Sequence, residues 1–164
     1  MGVETNAIAP SAWSDRTYWL WVAVAACAFH IVEEYAFDWP AFARDRFHVA
    51  CNYTDYLVLN AAFLRLGISG AMIGWRFVAY CLAFPALLFL DAIFHAAASL
   101  WADQLNPGTI TALTLLAPAG IACFIAAHRD GVLTRSRCLA ALALGAAIHL
   151  FPVVIVLLRP LLSY

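Results

Sequence analysis

The chain contains no lysine, and its nine basic residues are all arginine, set against ten acids. The missing lysines read as codon bias as much as physics. Charged residues make up only 12% of the 164 residues, where a soluble domain carries about twice that share. With a net charge of −1 and a pI of 6.5 there is no basic stripe, so nucleic acid is excluded as a partner. The opening MGVETNAIAPSAWSDRT has no basic region ahead of an apolar one, so it reads as a short tail and not a cleavable signal peptide. The five cysteines (Cys27, Cys51, Cys81, Cys123 and Cys138) form no CxxC pair. That argues against a zinc knuckle or a disulfide framework and leaves inert thiols, most of them in apolar runs. No internal repeat and no low-complexity tract is present.

Apolar residues are what the chain has in excess, 65% of it, with a mean hydropathy of +0.85. No soluble core of this size would use them. The composition therefore predicts an all-α integral membrane protein in which residues 1–164 form a single transmembrane domain. A span needs about 20 mostly apolar residues. Five segments qualify, near 18–37, 55–75, 77–101, 108–127 and 138–159, which makes a five-helix transmembrane bundle. Asn60, Arg65, Gly67, Gly70 and Gly74 weaken the second. Pro85, Pro118 and Pro152 fall inside the third, fourth and fifth, where neighbouring helices can absorb the freed carbonyls. The loop near 38–54 suits a short amphipathic helix lying in the interface. Arg16, Arg76, Arg129, Arg135 and Arg137 fall on the N-terminal side, and Arg44, Arg46 and Arg159 on the other. That bias favours a cytoplasmic N-terminus in a membrane taken to be the bacterial cytoplasmic one.

Against this background the polar residues stand out. His30, Glu33 and Glu34 interrupt the first span, at a cost of roughly 2.5–3.5 kcal/mol for each ionisable group at mid-membrane, so such groups are rare and usually functional. With a fixed rise along the helix, His30 lies about 18 Å and Glu33 about 22 Å into that span. Asp91 and His95 lie about 21–27 Å into the third, and His149 about 16 Å into the fifth. Asn60, Thr109 and Thr111, at the starts of the antiparallel spans, come to nearly the same level. Polar groups from all five spans thus share one slab toward the first-loop side. Residues three or four apart share a helix face, so His30 can pair with Glu33 and Glu34, and Asp91 with His95. Blander roles exist for several of them. His149 suits a satisfied core histidine and Asn60 an interhelical hydrogen bond. Trp19, Trp21, Tyr35 and Trp39 suit an aromatic belt. His48 and His128 are expected to be solvated.

The chain resembles the HXXEE family of small integral membrane proteins. His30, Glu33 and Glu34 match its first motif, and His95 in DAIFHAAASL matches its second histidine. Leu105-Asn106-Pro107-Gly108 stands where the family has Tyr-x-Pro-Gly, with leucine in place of the tyrosine. The resemblance covers about residues 18–127. It implies a membrane protein of unknown function for which enzymatic activity has been suggested, so it speaks to the site more than to a reaction.

Three chemistries fit. The first is general acid–base catalysis with no cofactor. Two adjacent carboxylates in a low dielectric do not ionise together readily, so one is expected to keep its proton and act as the acid. Glu33 or Glu34 would be that acid, His30 the partner that sets its protonation, and Asp91 with His95 the opposing base. Asn60, His149, Thr111, Trp21 and Tyr35 would contact the substrate. Protonation of an alkene or epoxide would then drive isomerisation or cyclisation of an isoprenoid- or polyketide-like lipophile. The second is a divalent metal, iron or zinc, held by His30, Glu33, Glu34, His95 and His149 in an oxidoreductase or hydrolase. The third is a proton-coupled carrier or lipophile-binding protein.

Overall fold

Polar caps and glycine-rich breaks divide the apolar runs into five long helices and one short one. The computed structural model describes residues 16–162; the N-terminal tail expected before Arg16 lies outside the described residues. The helices are α1 (Tyr18–Ala36), α2 (Trp39–Phe47), α3 (Tyr53–Ile73), α4 (Val78–Ala102), α5 (Thr109–Arg129) and α6 (Arg135–Leu162). Among the described residues there is no strand. Three helical stretches are long and apolar enough to cross a membrane: Tyr18–Ala36, Tyr53–Ala102 and Thr109–Arg129. The second comprises α3 and α4, joined by the tight turn Gly74–Phe77. The chain is an all-α membrane protein.

Local chemistry explains the helix ends. Asn52 and Asp55 form a reciprocal capping box at 2.9 and 3.3 Å, which starts α3 two residues ahead of the expected position. Asp38 accepts from the Ala41 amide at 3.1 Å and opens α2, the helix anticipated in the first loop. One turn of π-helix, Ala112–Leu116, lies within α5 just ahead of Pro118.

Side-chain contacts establish the directions. His30 faces Asp91 and Glu34 faces His95, so α1 and α4 are parallel. Gly145 lies beside Ala86 and His149 beside Asp91, so α4 and α6 are parallel. Gly70 and Gly67 meet Cys81 and Phe84 in reverse order, so α3 returns antiparallel to α4. The Cys123 thiol donates to the Trp19 carbonyl at 3.2 Å while Glu33 reaches Thr111, so α5 is antiparallel to α1. At the N-terminal end, Arg16 and the Trp75 indole both donate to Asp130, at 2.7 and 2.8 Å.

Helix α4 is the hub. Cys81–Leu88 are buried without interruption, so all its faces are covered at that level. Lipid tails are as apolar as leucine, so close packing holds such a bundle together more than expulsion of water does. Small residues provide that approach. A Cβ on Gly145 would stand 2.7 Å from the Ala86 methyl and 2.8 Å from the Ala83 carbonyl oxygen. Gly145→Ala is therefore expected to destabilise the bundle by about 1–3 kcal/mol through overpacking. Unfolding in detergent checks this; a variant as stable as the parent would mean that α4 and α6 are not in backbone contact.

Candidate functional site

The site is assembled by α1, α4, α5 and α6. His30 and Glu34 are one helical turn apart on the buried face of α1, only 3% and 6% exposed. His95, 1% exposed, and Asp91 occupy the facing stripe of α4. Glu34 Oε1 lies 3.6 Å from His30 Nε2 and 3.3 Å from His95 Nε2. Asp91 Oδ2 lies 3.2 Å from His30 Nε2 and 3.7 Å from His95 Nε2. Two nitrogens and two oxygens thus alternate around a closed loop. The two imidazoles meet edge to face, with ring centroids 4.7 Å apart. The second oxygen of Asp91 faces His149 Nδ1 on α6 at 3.7 Å.

Glu33 does something else. Consecutive helical residues are rotated by about 100°, so Glu33 cannot share Glu34's direction. Its carboxylate accepts the amides of Ile110 at 3.2 Å and Thr111 at 2.7 Å. These belong to the first turn of α5, where amides have no partner within the helix and a negative charge is favoured. The two carboxylates point apart, so the like-charge crowding expected to keep a proton on one of them is not what the geometry offers. Glu33 also stands apart from the other proposed metal ligands.

Gly108 explains why α5 is capped from outside. It has φ +93° and precedes the first turn of that helix. A Cβ here would lie 2.6 Å from the His30 ring, 2.8 Å from Glu34 and 2.8 Å from the His95 ring. The N-cap position of α5 has no room for a side chain of its own, so α1 supplies one. Thr111 then hydrogen-bonds His30 Nδ1 at 3.0 Å while its hydroxyl reaches the Gly108 carbonyl at 3.3 Å. Behind this, Asn106 donates its amide to Ser99 at 3.0 Å, and Ser99 donates to the His95 carbonyl at 2.8 Å, which ties the link to α4.

A cavity of about 290 Å³ opens beside the cluster. His30, Glu34, Asp91, His95 and His149 are in its wall; Cys27, Phe63, Leu87 and Phe94 make much of the rest apolar. Asn60 lines it too, but its amide donates to the Tyr56 carbonyl of its own helix at 3.2 Å and does not bridge to a neighbour. Trp21 and Tyr35, expected to touch substrate, are 45% and 60% exposed on the outside of α1 and line neither cavity. His48 and His128 are exposed. Four of the five cysteines are buried and all are free. A second cavity of about 510 Å³ lies outside Glu33, between α1, α2 and the 104–110 link, and Leu105 faces it.

Sequence reasoning passed over Tyr56 and Trp39 as site residues. Tyr56 is buried in the cavity wall and donates to the Ile31 carbonyl at 2.6 Å. Its position one turn before Asn60 was the available signal. Trp39 enters the same wall from α2 and stacks on Tyr56 at 6.4 Å; no periodicity marks it.

A family model described as a protein of unknown function with HXXEE motif matches residues 21–123. No curated protein and no solved structure matches the chain.

Gly108→Ala is expected to destabilise the protein by about 2–4 kcal/mol, adding a left-handed backbone penalty to overpacking against three site residues. Unfolding in detergent measures it; a neutral result would remove the close approach inferred for the Pro107-Gly108 turn.

Proposed function

We propose that this chain, which belongs to the HXXEE family, is a membrane-embedded enzyme that transforms a lipophilic molecule by proton transfer. One observation carries the reading: five ionisable groups drawn from three helices form one patch in the wall of a largely apolar cavity. Such groups are costly in a membrane interior, and their convergence beside space for a ligand supports a chemical role over independent struts. At about 290 Å³ the cavity is near the lower end of small-ligand pockets. That size and lining suit a compact isoprenoid- or polyketide-like skeleton.

The geometry divides the labour. His149 borders the cavity with a side chain 17% exposed and stands 3.7 Å from Asp91, so it is suited to exchange a proton with the ligand. Asp91 links it to the loop formed with His30, Glu34 and His95, which supplies the fixed charge around the reacting atoms. Protonation of an alkene or epoxide, followed by loss of a proton from carbon, gives isomerisation or cyclisation. The face of Trp39 stands ready to support positive charge in transit.

Incubation of the purified protein in lipid nanodiscs with isoprenoid and polyketide lipophiles in D₂O, followed by mass spectrometry, tests this. An alkene is expected to give a product with deuterium on carbon, and an epoxide, protonated on oxygen, a ring-opened isomer without it. His149→Ala is expected to lower the rate at least about 100-fold, the usual worth of a general acid or base, Glu34→Gln to lower it about 100-fold through loss of the fixed charge, and Trp21→Phe to leave it unchanged. Turnover that survives His149→Ala would overturn the assignment.

The arginines at the Arg16–Asp130 end support a cytoplasmic N-terminus in a bacterial cytoplasmic membrane. A cysteine introduced at Ser136 is then expected to react with an impermeant maleimide in inverted vesicles and not in intact cells. The opposite pattern would reverse the orientation.

A further inference from the structure

We propose that His30 Nε2, Glu34 Oε1, His95 Nε2 and Asp91 Oδ2 together bind one divalent transition-metal ion, with zinc the preferred occupant. The inference goes beyond the proton-transfer reading and stands independently of it.

The first argument is metric. An ion held tetrahedrally by nitrogen and oxygen at about 2.0–2.1 Å sets neighbouring donor atoms about 3.3–3.4 Å apart. The four successive separations around the loop are 3.6, 3.3, 3.7 and 3.2 Å. They are long for charge-assisted hydrogen bonds and close to a coordination edge. Three of the four, His30, Asp91 and His95, present ligating atoms that all lie within 4.8 Å of one another; Glu34 lies outside that group, beside the two imidazoles, and would move inward to complete the tetrahedron.

The second argument is the state of His30. Its Nε2 is buried and makes no hydrogen bond, although two carboxylate oxygens stand nearby. With the Thr111 hydroxyl proton on the Gly108 carbonyl, the hydroxyl oxygen accepts from His30 Nδ1–H, which is the tautomer the proposal requires. That leaves a lone pair on Nε2 pointing among the lone pairs of Glu34 and Asp91. Such an arrangement needs a cation at its centre. A proton on Nε2 would supply one positive charge against two carboxylates, whereas a divalent ion supplies two.

The third argument is composition and support. Two imidazoles and two carboxylates form a donor set suited to zinc and its first-row neighbours. Two carboxylates carry a charge of −2, which a divalent ion neutralises where burial would otherwise be costly. Thr111 is the outer partner that fixes the tautomer and the ring orientation of a ligating histidine. Gly108, without a side chain, lets the α5 turn close over both rings. Glu33 and His149 fall outside the set, because one caps α5 and the other reaches only the far oxygen of Asp91.

The test uses the full chain in detergent, stripped with a chelator and dialysed against Zn²⁺. Elemental analysis is expected to find about one zinc per chain, and Co²⁺ in its place to give the strong visible absorption of a low-coordinate nitrogen–oxygen site. Glu34→Gln and His95→Gln are expected to weaken zinc binding more than tenfold. Thr111→Val, which removes only the hydroxyl that meets His30 Nδ1 and keeps the side-chain shape, is expected to weaken it about tenfold. Glu33→Gln and His149→Gln are expected to bind zinc as the parent does. No retained zinc in the parent, or equal loss in Glu33→Gln and Glu34→Gln, would overturn the proposal. Turnover is assayed separately: zinc retained without turnover upholds the metal site and fails the enzyme, whereas turnover by a protein that takes up no zinc or cobalt does the reverse.

Discussion

A carboxylate set among apolar helices, as Asp91 is with 22% of its side chain exposed, depends chiefly on partners in the protein. Asp91 meets this demand with both oxygens, one toward His30 and His95 and the other toward His149. No helix at the edge of the bundle could place one side chain between α1 and α6. The residue has to sit on α4, which packs against both, and α4 can be central because its Cys81–Leu88 stretch is apolar and small enough to be covered on every side. The architecture and the polar cluster are thus one arrangement: the helix that organises the packing also carries the acid that joins three elements.

The turn at Pro107-Gly108 shows how closely backbone and site are fitted. Gly108 lies against both imidazole rings and Glu34, which leaves no room for the side chain that would ordinarily cap α5. Glu33 performs that task from the neighbouring helix. In doing so it holds the backbone of Thr111, whose hydroxyl meets His30 Nδ1. The two glutamates of the motif are adjacent in sequence and opposite in role. One anchors a helix start and the other enters the cluster. The turn and the motif depend on each other physically, which explains why a short loop far along the chain belongs to the same site.

The positions of the spans were legible in the sequence to within about three residues, as expected of helix boundaries. The short helix in the first loop and the buried cysteines were legible as well. So was the convergence of His30, Asp91, His95 and His149, because each could be placed by its depth in its own span. Other features were not. Trp21 and Tyr35 are in the right helix at suitable heights, yet they face outward. Asn60 borders the cavity but spends its hydrogen bond on its own backbone. Trp39 and Tyr56 join the wall through packing that no local pattern announces.

The difference follows from helix geometry. Rise per residue is the same for every helix, so counting along the chain determined how deep each polar group lies and that several share a level. Rotation about the axis is another matter. A single step turns a side chain by about 100°, and which azimuth faces the interior depends on where small residues such as Gly108 and Gly145 allow neighbours to approach. The sequence by itself therefore determined the membrane class, the helices and the height of the site. Only the tertiary structure decided which of two adjacent carboxylates enters it, because that choice depends on how α1 is rotated against α4 and α5.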